Sequence, residues 1–203
     1  DDTAIWSLPS NKPRNGFAIK TRRNSIQLEL NEFANWCKRW QLSLNSDKCK
    51  SMTITTQEGT APYKFNIDGN PLDVVKSYTY LGIDIDDKMT YKQHIEKTVN
   101  KLKRNLYKTY HLLRQNIELT PKSIALIYKS TTRPILEYGM IYYYHADTTK
   151  SIEKIQNKYL QTMIPSTKSC PIDILQMVAK IESLPSIHHK LTLRQYARAQ
   201  HCS

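Results

Sequence analysis

The sequence predicts an α+β protein: short antiparallel strands with one helix over residues 1–86, then helices throughout 87–203. Three observations carry this. Alternating, β-branched stretches and an Asp68-Gly69 turn all fall before residue 87. From Thr90 onward the apolar residues recur at helical spacings of three and four. Across 203 residues, 39% hydrophobic and 24% charged content is that of a chain able to bury a core.

Taken in order, Asp1-Asp2-Thr3-Ala4-Ile5-Trp6-Ser7 reads as a short strand, and Leu8 to Arg23, with two prolines and a glycine, as a polar connection. Ile26, Leu30, Phe33, Cys37 and Trp40 alternate spacings of four and three, so they share one stripe of an amphipathic helix entered near Asn24 or Ser25. Trp36 widens that stripe. Leu42 to Lys50 leaves the helix, and Ser51 to Thr56 has the alternation of a strand. Tyr63 to Ile67 and Pro71 to Val75 flank Asp68-Gly69-Asn70 as a hairpin, because Asp-Gly supplies the positive φ angles of a tight turn. Ser77 to Asp86 forms another strand.

Thr90-Tyr91-Lys92-Gln93 has capping-box form, and Ile95, Val99, Leu102, Leu106 and Leu113 give the next helix a long apolar face. Thr120-Pro121 opens a helix expected to run to about Thr132, where Arg133-Pro134 interrupts it and a new segment continues to Tyr144. Ile152, Ile155, Tyr159 and Met163 mark another helix, and Pro171 to Ile181 and Ile187 to Ala199 two more.

The net charge is +12, and such an excess favours polyanionic partners through counterion release. Its distribution is uneven: Lys88 to Arg133 holds eleven basic residues against Glu96 and Glu118. Lys97, Lys101, Arg104 and Lys108 recur at spacings of four, three and four, so they project from one helix face, opposite or flanking the apolar one. Such a helix can pack on a core while offering a rail of charge to a nucleic-acid backbone; a solvated lysine face and a membrane-surface helix are the alternatives.

Cys37, Cys49, Cys170 and Cys202 lack paired metal-ligand spacing, which argues against a zinc framework and makes free thiols the default. No apolar run approaches the roughly 20 residues of a membrane span. We therefore expect an intracellular protein, nuclear or cytoplasmic, without a membrane partner. Asp1 and Asp2 are two adjacent carboxylates, the donor type that Mg²⁺ takes, although an Asp-Asp pair is also commonly just solvated.

These segments, in this order, resemble the palm end, thumb and post-thumb connection of reverse transcriptases from non-LTR retrotransposons, particularly jockey-like LINE elements. Asp1-Asp2-Thr3-Ala4 is similar to the continuation of the family's Tyr- or Phe-Ala-Asp-Asp catalytic hairpin. Phe33, Trp36, Trp40, Leu42, Leu44-Asn45 and Lys48 resemble the helix and loop after it. Tyr80-Leu81-Gly82-Ile83 with Asp84-Ile85-Asp86 resembles the strand turn that positions the primer end, and Tyr91 with His94-Ile95 the start of the thumb. Ile127 to Ser130 and Arg133 to Gly139 are similar to the thumb signature, Ile155 to Lys158 to the helix after it, and Cys170 to Leu175 with Leu184-Pro185 to the post-thumb segment.

The resemblance implies a palm portion at 1–86, a helical thumb at 87–165 and a post-thumb connection at 166–203. It implies Mg²⁺ held by Asp1 and Asp2, a primer grip at Tyr80, Leu81, Gly82 and Ile83, and Lys48 as a general acid assisting pyrophosphate departure. Lys97, Lys101, Arg104 and Lys108 would track the backbone of an RNA–DNA template-primer duplex. Each residue also has a plainer reading: Gly82 as an ordinary bulge, Tyr80 as core, Lys48 as surface, and Arg133 with Glu137 as an intrahelical pair. By the same resemblance, the second metal-binding strand and the nucleotide clamp would belong to an upstream palm and fingers polypeptide. The 203 residues alone are therefore expected to bind template-primer as a fragment of an RNA-directed DNA polymerase without extending it. A non-enzymatic nucleic-acid-binding module from a decayed or domesticated element is the alternative, and a helical interaction protein a third.

Overall fold

A computed structural model describes residues 4–5, 16–55, 63–113, 120–144, 150–164, 166–167 and 169–201. It is α+β, with two compact units, Asp1–Thr90 and Tyr91–Ser203.

In the first unit α1 runs Gly16–Arg39. It begins earlier than the periodicity indicated: beyond the prolines, Ala18 to Arg23 contains mostly good helix formers, so the polar connection ends before them. Leu30, Ala34 and Cys37 are buried, and Leu30 and Ala34 form a core cluster with Ile67 and Leu72, flanked by Ile26, Phe33, Leu44, Cys49 and Phe65. Trp36 and Trp40, expected on or beside the apolar stripe, are instead solvent-facing, Trp40 at 64% exposure. The reason is the helix end. Gln41 takes φ 55° and the Leu42 amide donates to the Cys37 carbonyl at 2.9 Å, a Schellman-type stop that turns the chain away beneath Trp40.

The strands are brief. β1 (Lys50–Ser51) pairs in parallel with β4 (Asp73–Val74). The pair is clipped by the Lys50 ammonium, 2.6 Å from the Asp73 carboxylate, whose pKa that hydrogen bond lowers. The strand expected over Ser51 to Thr56 thus has only its first residue in a ladder, although the Thr55 amide still donates to the Asp87 carbonyl at 3.0 Å. β2 (Asn66–Ile67) and β3 (Asn70–Pro71) close antiparallel around Asp68 and Gly69, with φ of 51° and 80°, as the Asp-Gly signal predicts.

Ser77 to Asp86, a strand by its residues and a strand turn by resemblance, is a second hairpin. β5 (Ser77–Tyr80) and β6 (Ile83–Asp86) pair antiparallel from Ser77↔Asp86 to Tyr80↔Ile83. Leu81 at φ 46° and Gly82 at φ 77° make its two-residue turn, so Gly82 supports a reversal and not a bulge.

In the second unit α2 spans Lys92–Leu113, burying Ile95, Leu102 and Thr109. α3 (Pro121–Ile127) opens under Thr120, whose side chain accepts from the Ser123 amide at 3.3 Å. Contrary to expectation, Arg133-Pro134 does not interrupt the helical run. A wide π-helical turn over Tyr128–Thr132 leads directly into α4 (Arg133–Glu137). Proline lacks an amide hydrogen and its ring crowds the carbonyl four residues back; the widened turn relieves both without breaking the helix. Gly139, at φ 71°, then redirects the chain into α5 (Met140–Tyr143).

α6 (Lys150–Met163) buries Ile152, Ile155, Tyr159 and Met163, the expected set, with Gln156 and Leu160 beside them. α7 (Ile172–Ala179) stops at Lys180, φ 51°, and α8 runs Leu184–His201, starting at Leu184-Pro185 ahead of the expected Ile187 because proline suits a helix's first turn. Three tyrosines anchor this core. Tyr128, Tyr143 and Tyr159 are buried, and loss of solvent pushes all three phenols up, Tyr159 to about 12.

Candidate nucleic-acid interface

α2 positions the cations. At about 100° per residue, Lys97, Lys101, Arg104 and Lys108 fall within an arc of roughly 60°. The buried Thr98, Leu102 and Thr109 lie about a quarter-turn away, so the cationic face flanks the packed one. All four basic side chains are exposed. Glu96 points from another side of the helix, which leaves the arc without an acidic residue of its own. A face of this kind has the charge and contour to accept a polyanion without reading its sequence.

Two residues that the spacing of charges did not single out extend the face. Tyr107 is 66% exposed, and its ring lies edge-to-face with His111, centroids 4.3 Å apart. By helical phase His111 lies at the edge of the arc beside Arg104, and Tyr107 about 60° round the helix from Arg104. The signal was present in the sequence as an aromatic one residue before a stripe lysine, but a single tyrosine in a helix most often marks core.

In the first unit the four residues Tyr80 to Ile83 form the tip of the β5–β6 hairpin. Leu81 is exposed at its apex, while Tyr80 and Ile83 are half-buried and close the ladder. Inside the hairpin, the buried Asp84 carboxylate accepts from the Thr79 hydroxyl at 2.6 Å, a cross-strand bond that stiffens the tip. Beyond it, Asp86 accepts from the amides of Lys88 at 3.1 Å and Thr90 at 3.0 Å, and from the Thr90 hydroxyl at 3.0 Å. Thr90, the expected helix cap, is thereby fixed by Asp86.

Lys48 is exposed at the end of a single 3-10 turn, Ser46–Lys48. Asp1 and Asp2 lie outside the described residues; among those described, no group of three or more His, Cys, Asp or Glu side chains could hold a metal ion. Arg133 donates to Glu137 one helical turn on, so its guanidinium is engaged within α4.

Among the described residues no helix is long and apolar enough to cross a membrane. The sequence is similar to RNA-directed DNA polymerases of mobile elements. It is 28% identical over 143 residues to the RNA-directed DNA polymerase from mobile element jockey of Drosophila melanogaster, covering 70% of this chain and 15% of that protein. It is 30% identical over 128 residues to the probable RNA-directed DNA polymerase from transposon X-element of Drosophila melanogaster, covering 62% of this chain and 14% of the relative. The jockey polymerase of Drosophila funebris is 29% identical, over 68% of this chain and 15% of its own length. The chain is thus related to a region of the polymerases of jockey-like non-LTR retrotransposons and spans about a seventh of the relatives it matches. No family model and no solved structure matches it.

Proposed function

We propose that this chain is the template-primer-binding, C-terminal palm and thumb portion of an RNA-directed DNA polymerase of a jockey-like retrotransposon. The observation that carries the reading is the exposed cationic arc of α2 in a relative of such polymerases. In this reading residues 1–86 end the palm, 87–165 form the thumb and 166–203 the post-thumb connection.

Lys97, Lys101, Arg104 and Lys108 follow the phosphates of an RNA–DNA hybrid, while the Tyr80 to Ile83 hairpin tip holds the primer end. Support for the tip comes from its composition. Leu81 adopts a left-handed conformation that glycine or asparagine takes more cheaply, and it does so with its side chain exposed. An apolar residue at a strained, exposed turn suits contact with another molecule.

Asp1 and Asp2 have the hard-oxygen chemistry that Mg²⁺ takes, and they would hold it in the intact enzyme, where it would supply positive charge opposite the phosphoryl group. Lys48 would protonate the departing pyrophosphate. A further metal-binding carboxylate and the nucleotide clamp would come from an upstream palm and fingers polypeptide.

Fluorescence anisotropy with an RNA–DNA hybrid over a salt series tests the reading. Binding should weaken steeply with salt, with log K falling by about 0.9 per phosphate neutralised. Replacing the four cations together with alanine should flatten the slope by about three to four. An unchanged slope would mean that the arc is only a solvated surface.

A further inference from the structure

We propose that Tyr107, backed by His111, is a stacking site for an unpaired nucleotide at the end of the cationic arc. The inference rests on the reading of α2 as a backbone-binding helix and adds a second kind of contact to it.

The large side chains that α2 buries lie on the arc centred near Leu102 and Thr109. Tyr107 is turned away from it and contributes almost nothing to that packing, with 66% of its surface open. It is not a stray exposed aromatic, for two reasons. Its ring is braced by His111, also exposed, at 4.3 Å and an interplanar angle of 62°, which limits its freedom. In an edge-to-face pair at least one ring face stays open to a third ring.

The second reason is position. Tyr107 lies three residues after Arg104, about 60° round the helix from it, with His111 between the two in phase, so the pair flanks the edge of the cationic arc on the side where Glu96 lies three turns earlier. A strand whose phosphates lie against Arg104 and Lys108 brings its sugars and bases to the margin of that arc. Paired bases are stacked within their helix and cannot use the ring. A base at an unpaired end can, and stacking tolerates any base because each has a π face. Charge complementarity selects a polyanion, and the open ring selects its single-stranded part.

The experiment compares the chain's affinity for a hybrid bearing a short unpaired tail with that for the same hybrid bearing an abasic tail of equal charge. A fluorescent adenine analogue in the first tail reports stacking directly. The wild type should prefer the base-bearing tail by about tenfold and quench the analogue. Tyr107→Ala should lose both effects yet keep the abasic affinity and the salt slope, while Tyr107→Phe should retain both. Equal affinity for the two tails in the wild type, or a preference that survives Tyr107→Ala, overturns the proposal. Failure of the backbone reading appears separately, as an unchanged salt slope in the four-alanine variant, with the tail preference still scored.

Discussion

The side-chain amide of Gln27 pairs with the main chain of Asn66 as a neighbouring strand would: Nε2 donates to the carbonyl at 2.7 Å and Oε1 accepts from the amide at 3.0 Å. The register explains why these groups need a partner. The Leu72 amide donates to the Phe65 carbonyl at 2.8 Å, so the next pair, Asn66↔Pro71, turns its main-chain groups outward. Proline tolerates that position because it has no amide hydrogen to lose, and Gln27 satisfies Asn66 from α1.

Replacing Gln27 with alanine should therefore cost about 1–2 kcal/mol in urea denaturation. Gln27→Glu keeps the acceptor and loses the donor, so it should fall between the two. Unchanged stability in both variants would show that water replaces the pairing without loss.

Leu81 predicts the opposite sign. At φ 46° in a two-residue turn, Leu81→Asn should raise stability by about 0.5–1 kcal/mol, because asparagine enters the left-handed region at lower cost. If the tip grips a primer end, the same variant should weaken hybrid binding. A stabilised protein with undiminished binding would remove Leu81 from the interface.

Much of the fold was legible where one element's own periodicity decided it. The four apolar residues marking α6 are all buried, and the Asp68-Gly69 turn forms as its residues dictate. The illegible parts depended on partners. No intrinsic preference of Leu81 announces a reversal, which only the resemblance suggested; pairing of Ser77 with Asp86 fixes it. Pro134 reads locally as a stop, yet the wide turn before it absorbs the missing bond. Trp40 fits the apolar stripe by spacing, but the stop at Gln41 removes the surface it would cover. The cationic arc was visible because charge spacing along a helix is a local property, whereas the value of Tyr107 depends on which face the core takes.

A buried chain of polar groups in the second unit gives a third prediction. The Tyr128 hydroxyl donates to Gln156 Oε1 at 3.1 Å, and Gln156 Nε2 donates to the Glu182 carbonyl at 3.1 Å, joining the π-helical turn, α6 and the approach to α8. Gln156→Ala strips both partners and opens a cavity, so thermal unfolding should show a loss of about 2–4 kcal/mol. Tyr128→Phe leaves one acceptor unmet and should cost about 1–2 kcal/mol. Equal losses in the two variants would refute a relay through Gln156.

The acid side of the stability profile should depend on Glu182. Its hydrogen bond from Lys190, then the charges of Lys190 and Arg133, hold its pKa below the ordinary 4.5. A carboxylate lowered on folding stabilises above its unfolded pKa, and that contribution fades as pH drops through the folded value. Glu182→Gln should accordingly melt earlier at pH 7 and lose less on acidification below about 4.5. A melting profile parallel to the wild type across that range would rule out the linkage. Asp73, lowered by Lys50, acts with the same sign and should persist in the variant.

The described strands occur as three separate two-stranded ladders. Each of those strands is consequently an edge strand, with one side of its main chain outside its own ladder. Gln27 covers that side at Asn66, but the longest pair, β5 with β6, has no third strand in its sheet. A two-stranded ladder carries edges of the kind on which strand addition and edge-to-edge association take place, and among the described strands β5 and β6 are the longest to carry them.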